Sequence, residues 1–326
     1  MSGHELFLRG GRVRPIWRFF LSASVIVAAG FALQLVLGFL LGLVGKPSGL
    51  YLANALFAVV MLPALLGIFK VFMSVFEEKP LGAVGLAFCG RWRAELALGL
   101  AVGAAMILAV AAIEWVLGLT RFSWSDAPGR ALTAWALGLF VVLAIAATNE
   151  ELAFRGYPFQ RLVDSIGPVG AIAVLSALFG VMHLGNPHRT WVSTANTALV
   201  GIPFSIAYLR TRMLWLPIGM HFSWNFVLGF VVGLPVSGLQ VPVSIVKGEA
   251  VRGELLTGGS YGPEGGLFAT GVIVLATGYL AFSKSIYISE ETKTLISTPV
   301  MPDVTPVVLR LNEAESHAGP DLPGKG

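Results

Sequence analysis

Eight long apolar runs follow one another along this chain of 326 residues, and a fold that meets water on all sides cannot absorb them. They cover residues 19–45, 50–69, 96–119, 131–148, 169–184, 191–209, 213–234 and 267–282. A bilayer core takes about 20 apolar residues per helix, so each run reads as a membrane span, the last one short. Inside lipid every backbone polar group must be satisfied within the segment, which selects helices. The fold class is therefore all-α, a polytopic membrane helix bundle of about eight transmembrane helices.

Composition narrows the function classes. Charged residues make up 12% of the chain, about half the share usual in soluble domains. That excludes a soluble globular enzyme, an intrinsically disordered protein and a nucleic-acid binder. Arg9, Arg12, Arg14 and Arg18 precede the first run, as in a signal peptide. The run itself is about twice the 7–15 residues of a signal core, so a retained helix is expected. One cysteine, Cys89, excludes a disulfide framework or a cysteine metal cluster.

Orientation follows from the loops. With the N-terminus inside, the outer loops hold Lys46, Arg121, Arg130, Arg189, Lys247 and Arg252, and the remaining Lys and Arg fall inside. This bias predicts a multi-pass protein of the cell membrane with both termini cytoplasmic. Residues 1–18 form a cytoplasmic segment and 19–283 the membrane domain, with a Gly/Pro-rich outer loop at 235–266. Residues 284–326 read as a polar, disordered tail. The GxxxG pairs Gly38/Gly42 and Gly99/Gly103 read as intramolecular packing, and they leave the oligomeric state open.

Polar residues inside the spans cost several kcal/mol unless compensated, which makes them the informative ones. Asn149, Glu150, Glu151 and Arg155 close the fourth run, His183 ends the fifth, and His221 and Asn225 lie in the seventh. Glu151 and Arg155, four apart, share a helix face and can pair. Glu150 points about 100° away. Phe179 and His183 share a face, as do His221 and Asn225. Gly167-Pro168 supplies a reversal if the fourth helix continues to about Leu162. Glu150 and His183 then lie roughly 22 and 25 Å from the same end, with His221 and Asn225 at roughly 15 and 20 Å. All four can meet in one layer. A carboxylate and an imidazole sharing a water can deprotonate it. A second imidazole and an amide can donate to a developing oxyanion. The set reads as amide hydrolysis by an activated water within the bilayer. Glu114 reads as interfacial, and Asn54, Gln34 and Asn196 as bonds between helices. Gly258-Gly-Ser260-Tyr-Gly262 matches GxSxG by chance, since no strand–turn–helix surrounds it.

These residues resemble the three signatures of the CAAX protease and bacteriocin-processing enzyme (CPBP) family. EExxxR reads Glu150-Glu151-Leu-Ala-Phe-Arg155, FxxxH reads Phe179-Gly-Val-Met-His183, and HxxxN reads His221-Phe-Ser-Trp-Asn225. The resemblance implies a CAAX-protease-like core at about 131–234. It implies water activation by Glu150 with His183, an oxyanion hole at His221 and Asn225, and support from Glu151, Arg155 and Phe179. The substrate class it implies is a membrane-associated protein or peptide, processed by CAAX-type cleavage or a related peptide maturation. The family is widely labelled a metalloprotease, yet no HExxH is present, and one Glu, two His and one Asn are an unusual zinc set. No cofactor is expected; the zinc alternative rests on Glu150, His183 and His221. Two other function classes compete with the peptidase. One is a non-catalytic scaffold or bacteriocin self-immunity protein; the other is a proton-coupled transporter, which the lack of an inverted repeat disfavours.

Overall fold

Each apolar run falls on its own helix in the computed structural model, which describes residues 6–9, 11–43 and 50–297. The helices are α1 (Pro15–Leu43), α2 (Leu50–Phe72), α3 (Trp92–Val116), α4 (Gly129–Arg155), α5 (Tyr157–Met182), α6 (Trp191–Thr211), α7 (Trp215–Phe226) and α8 (Leu267–Phe282). A short α9 (Glu290–Ser297) follows. By length and composition, six helical stretches can cross a membrane. One is the 57-residue stretch Gly129–Gly185, which contains both α4 and α5; α8 is a shorter apolar helix. The molecule is an all-α polytopic bundle. Val27, Phe31, Leu35 and Phe39 on α1 are exposed, as lipid-facing side chains must be.

The helices close into a ring. Neighbours run α1–α2–α4–α7–α3–α8–α6–α5 and back to α1, with α6 also touching α7. The tightest pair is α3 with α7, and glycine is the reason. A Cβ on Gly99 or Gly103 would collide with the carbonyls of Leu216 or Met220, and one on Gly219 would crowd Leu96. Without side chains there, the backbones approach closely. The Gly99/Gly103 pair therefore packs within the molecule. Gly38 and Gly42 have nothing near their Cβ positions and face outward.

Two places depart from the sequence expectation. The fourth helix does not run on to Leu162; it stops at Arg155. A Cβ on Gly156 would fall on the Leu152 carbonyl, and Tyr157-Pro158 starts the next helix with proline in its first turn. The reversal falls at Gly167, whose φ of 78° breaks α5. Glu114, which reads as interfacial from the sequence, is fully buried within the protein, a burial residue spacing does not announce, and accepts a hydrogen bond from Thr120 at 2.7 Å. Beyond it, β1 (Thr120–Trp124) pairs antiparallel with β2 (Val246–Ala250), Thr120 opposite Ala250. The 235–266 loop is thereby tied to the end of α3.

The opposite end of the bundle is knitted by charge. Glu77 accepts from Arg18 at 3.0 Å, Tyr157 at 2.8 Å and Arg161 at 2.6 Å, joining the ends of α1, α2 and α5. Of the polar stretch that reads as a disordered tail, residues 284–297 are packed. Arg210 donates to the carbonyls of Ala281, Ser283 and Ile286, and Lys79 to that of Ile296. These backbone acceptors give a polar segment partners that hydropathy does not reveal. Residues 298–326 of the expected tail, and Lys46, lie outside the described residues.

Candidate active site

Inside the ring lies a cavity of about 360 Å³, and its wall carries Glu150, Phe179, His183, His221 and Asn225. Three elements supply them. Glu150 comes from the last two turns of α4, Phe179 and His183 from the end of α5, and His221 and Asn225 from α7. Although α4 ends early, Glu150, His183, His221 and Asn225 all line the same cavity.

Each imidazole is fixed from behind. His183 Nδ1 lies 2.7 Å from the Phe179 carbonyl one turn earlier. His221 Nδ1 lies 2.9 Å from Glu151 Oε1. A carbonyl and a carboxylate only accept, so both Nδ1 atoms carry protons and both Nε2 atoms are left to face the cavity. They converge on one atom: Glu150 Oε2 is 3.8 Å from His183 Nε2 and 3.8 Å from His221 Nε2. That separation is too long for a direct hydrogen bond. It is the span one bridging water closes. No protein donor among the described residues reaches Glu150 Oε2.

Behind this layer Glu151 and Arg155 are almost fully buried, at 0% and 1% exposure. Arg155 Nη1 sits 3.2 Å from Glu151 Oε1, the oxygen that also receives His221, and Nη2 donates to the Gly201 carbonyl at 3.3 Å. The guanidinium lies 4.7 Å from the Phe179 ring centre and 5.3 Å from that of Phe204. Phe204 in turn stacks on His221 at 5.3 Å. A buried carboxylate needs such a counter-charge, and rings on two sides keep that charge from moving. The two acids of the first motif thus diverge as their 100° separation requires. Glu150 meets the cavity; Glu151 is locked into the wall.

The same residues fit a metal poorly. Tetrahedral zinc with ligands at about 2.0–2.2 Å sets neighbouring donors about 3.4 Å apart. Glu150 Oε2 stands wider than that from each imidazole, at 3.8 Å from His183 Nε2 and from His221 Nε2. Among the described residues no group of three or more His, Cys, Asp or Glu side chains is arranged to hold a metal ion.

One acid of the wall is not among the motif residues. Glu264, in the 235–266 loop, also lines the cavity. It accepts from the Trp224 indole N–H at 2.9 Å, from the Ser237 hydroxyl at 2.9 Å and from the Ser237 backbone N–H. Burial pushes its carboxyl above the usual range, against these donors. The signal in the sequence was a single acid among glycines, Gly262-Pro-Glu264-Gly-Gly266, within a stretch that reads as a surface loop. Asn196 does bond between elements as expected: it donates to the carbonyls of Glu264 and Gly266, both at 2.9 Å, and accepts from Thr270.

Residues 132–227 match a family model described as type II CAAX prenyl endopeptidase, Rce1-like. The matched segment holds all three motifs and ends before Glu264. No curated protein matches the chain.

Proposed function

We propose that this chain, whose 132–227 segment matches a CAAX prenyl endopeptidase family model, is an intramembrane endopeptidase in which Glu150 is the general base. The observation that carries this reading is the unpartnered Glu150 Oε2, equidistant at 3.8 Å from two imidazole nitrogens whose other nitrogens are tied. A water in that gap donates one hydrogen to Glu150 and one to His183 Nε2, which leaves a lone pair free toward the cavity. As the lone pair attacks a peptide carbonyl, Glu150 takes the proton. The carbonyl oxygen becomes an oxyanion, stabilised by the Asn225 amide and by His221 Nε2–H when that ring is protonated. Glu150 then returns the proton to the leaving amine, the C–N bond breaks, and acid and amine products result.

Glu151 and Arg155 hold His221 in this scheme, and Phe179 holds His183. No step requires a metal. The substrate is a membrane-associated protein or peptide that reaches the cavity from the bilayer, and both termini face the cytoplasm. The test is purified Glu150→Gln and His183→Ala protein against labelled CAAX-type and signal-like peptides. Cleavage should fall by about 10²–10⁴-fold in each. Full activity in either variant sinks the mechanism, and cellular function that survives Glu150→Gln transfers the case to a scaffold or immunity role.

A further inference from the structure

The third motif sits at a weak point of its helix. α7 ends at Phe226, one residue after Asn225, and the chain continues as a π-helix over Val227–Val232. A π turn is wider than an α turn and grips its side chains less regularly. Something outside α7 has to fix the direction of Asn225.

The outer loop supplies it. We propose that Glu264 is a positioning residue: it clamps the Trp224 indole and thereby aims the neighbouring Asn225 amide into the cavity. The inference rests on the endopeptidase reading given above. Glu264 Oε1 receives Trp224 Nε1 at 2.9 Å, while Oε2 receives Ser237, so the acid bridges α7 and the loop. The loop is built to deliver it. Gly258 and Gly262 have positive φ, and a Cβ on either would strike a carbonyl, that of Gly262 or of Pro235. A Cβ on Gly266 would strike Leu256. Only glycine allows so tight a wrap. Asn196 then holds the main chain at Glu264 and at Gly266, bonding it to α6. Trp224 and Ser237 thus converge on the Glu264 carboxylate while Asn196 holds its backbone, and one of the carboxylate's partners is the residue beside Asn225.

Glu264 also anchors the loop through Ser237, so variants must separate clamp from anchor. Trp224→Phe deletes the indole N–H together with part of a buried ring but leaves the Ser237 bonds in place; Glu264→Gln disturbs both. In amide-resolved NMR of the full-length protein, the Asn225 side-chain NH2 signal, assigned by Asn225→Ala, should shift or split in both variants. An unmoved signal overturns the proposal, whatever the protein cleaves. On a peptide that the wild type cuts, both variants should lose about tenfold in kcat with KM within about twofold. Both variants should also lower the melting temperature, Trp224→Phe through lost core packing and Glu264→Gln through the loosened loop anchor. Adding Trp224→Phe to Asn225→Ala should cost less than about twofold more, because a clamp on an absent amide has nothing to position. Additive losses, or a change in KM alone, overturn the proposal. If the wild type cleaves no peptide while the Asn225 signal moves, the endopeptidase reading falls and the clamp stands.

Discussion

Glu77 and Glu150 both face nitrogen-bearing side chains, and their surroundings differ in one respect. Glu77, where α1, α2 and α5 meet, has both oxygens taken: Oε1 by Arg18 and Tyr157, Oε2 by Arg161. Glu150 has a buried oxygen with no donor in reach and two imidazole nitrogens at 3.8 Å. A carboxylate whose acceptor sites are filled by fixed donors is a rivet. One whose oxygen faces ring nitrogens across a water-sized gap is poised to take a proton. The comparison extends to the cations. Arg18 and Arg161 stitch helices together, whereas Arg155, behind the cavity, holds the acid that holds His221.

The sharpest way to break the comparison is to neutralise each acid in turn. Glu150→Gln should lower kcat by about 10²–10⁴-fold and leave the melting temperature unchanged, since no bond to that oxygen is lost. A comparable drop in melting temperature would make Glu150 a second rivet. Arg155→Met should come next. It strands Glu151 as an uncompensated buried charge, at a cost of about 3–5 kcal/mol in chemical denaturation. Retained stability would mean that Glu151 is not charged in the native protein. Asn225→Ala should lower kcat by about 10²–10³-fold with little change in KM, the signature of an interaction made only in the transition state.

Smaller effects sharpen the other side. Glu77→Gln should cost about 1–3 kcal/mol of stability, because two guanidinium groups and a phenol lose a charged acceptor, while kcat per folded molecule stays constant. A fall in kcat would join the charged end to the chemistry. Incubation with EDTA should change cleavage less than about twofold, in keeping with a donor set wider than zinc favours. Zinc recovered stoichiometrically and lost together with activity would overturn the metal-free scheme.

Much of the cavity was legible before any coordinates, because the residues that do chemistry in lipid are conspicuous there. Glu150, His183, His221 and Asn225 stand out against apolar runs, and helical spacing alone separates Glu150 from Glu151 by face. Less legible was what depends on the path of the backbone. Gly156 ends α4 through a steric contact with its own preceding turn, which residue spacing does not announce. Glu264 looked like one acid in a flexible loop, because glycine-rich segments carry no period from which burial can be inferred. Residues 284–297 read as a tail for a similar reason: their own main-chain carbonyls accept from the distant side chains of Arg91, Arg210 and Lys79, which hydropathy does not reveal.

The amino-acid order by itself determined that this is a helical membrane protein and which polar groups lie at similar depth. Apolar run length and the 1.5 Å rise per residue are local quantities, set by the chain alone. Only the tertiary structure decided which imidazole nitrogen faces Glu150, that Arg155 and His221 share one oxygen of Glu151, and that a loop acid reaches Trp224. Those are relations between segments far apart in the chain, and they exist only once the ring of helices has closed.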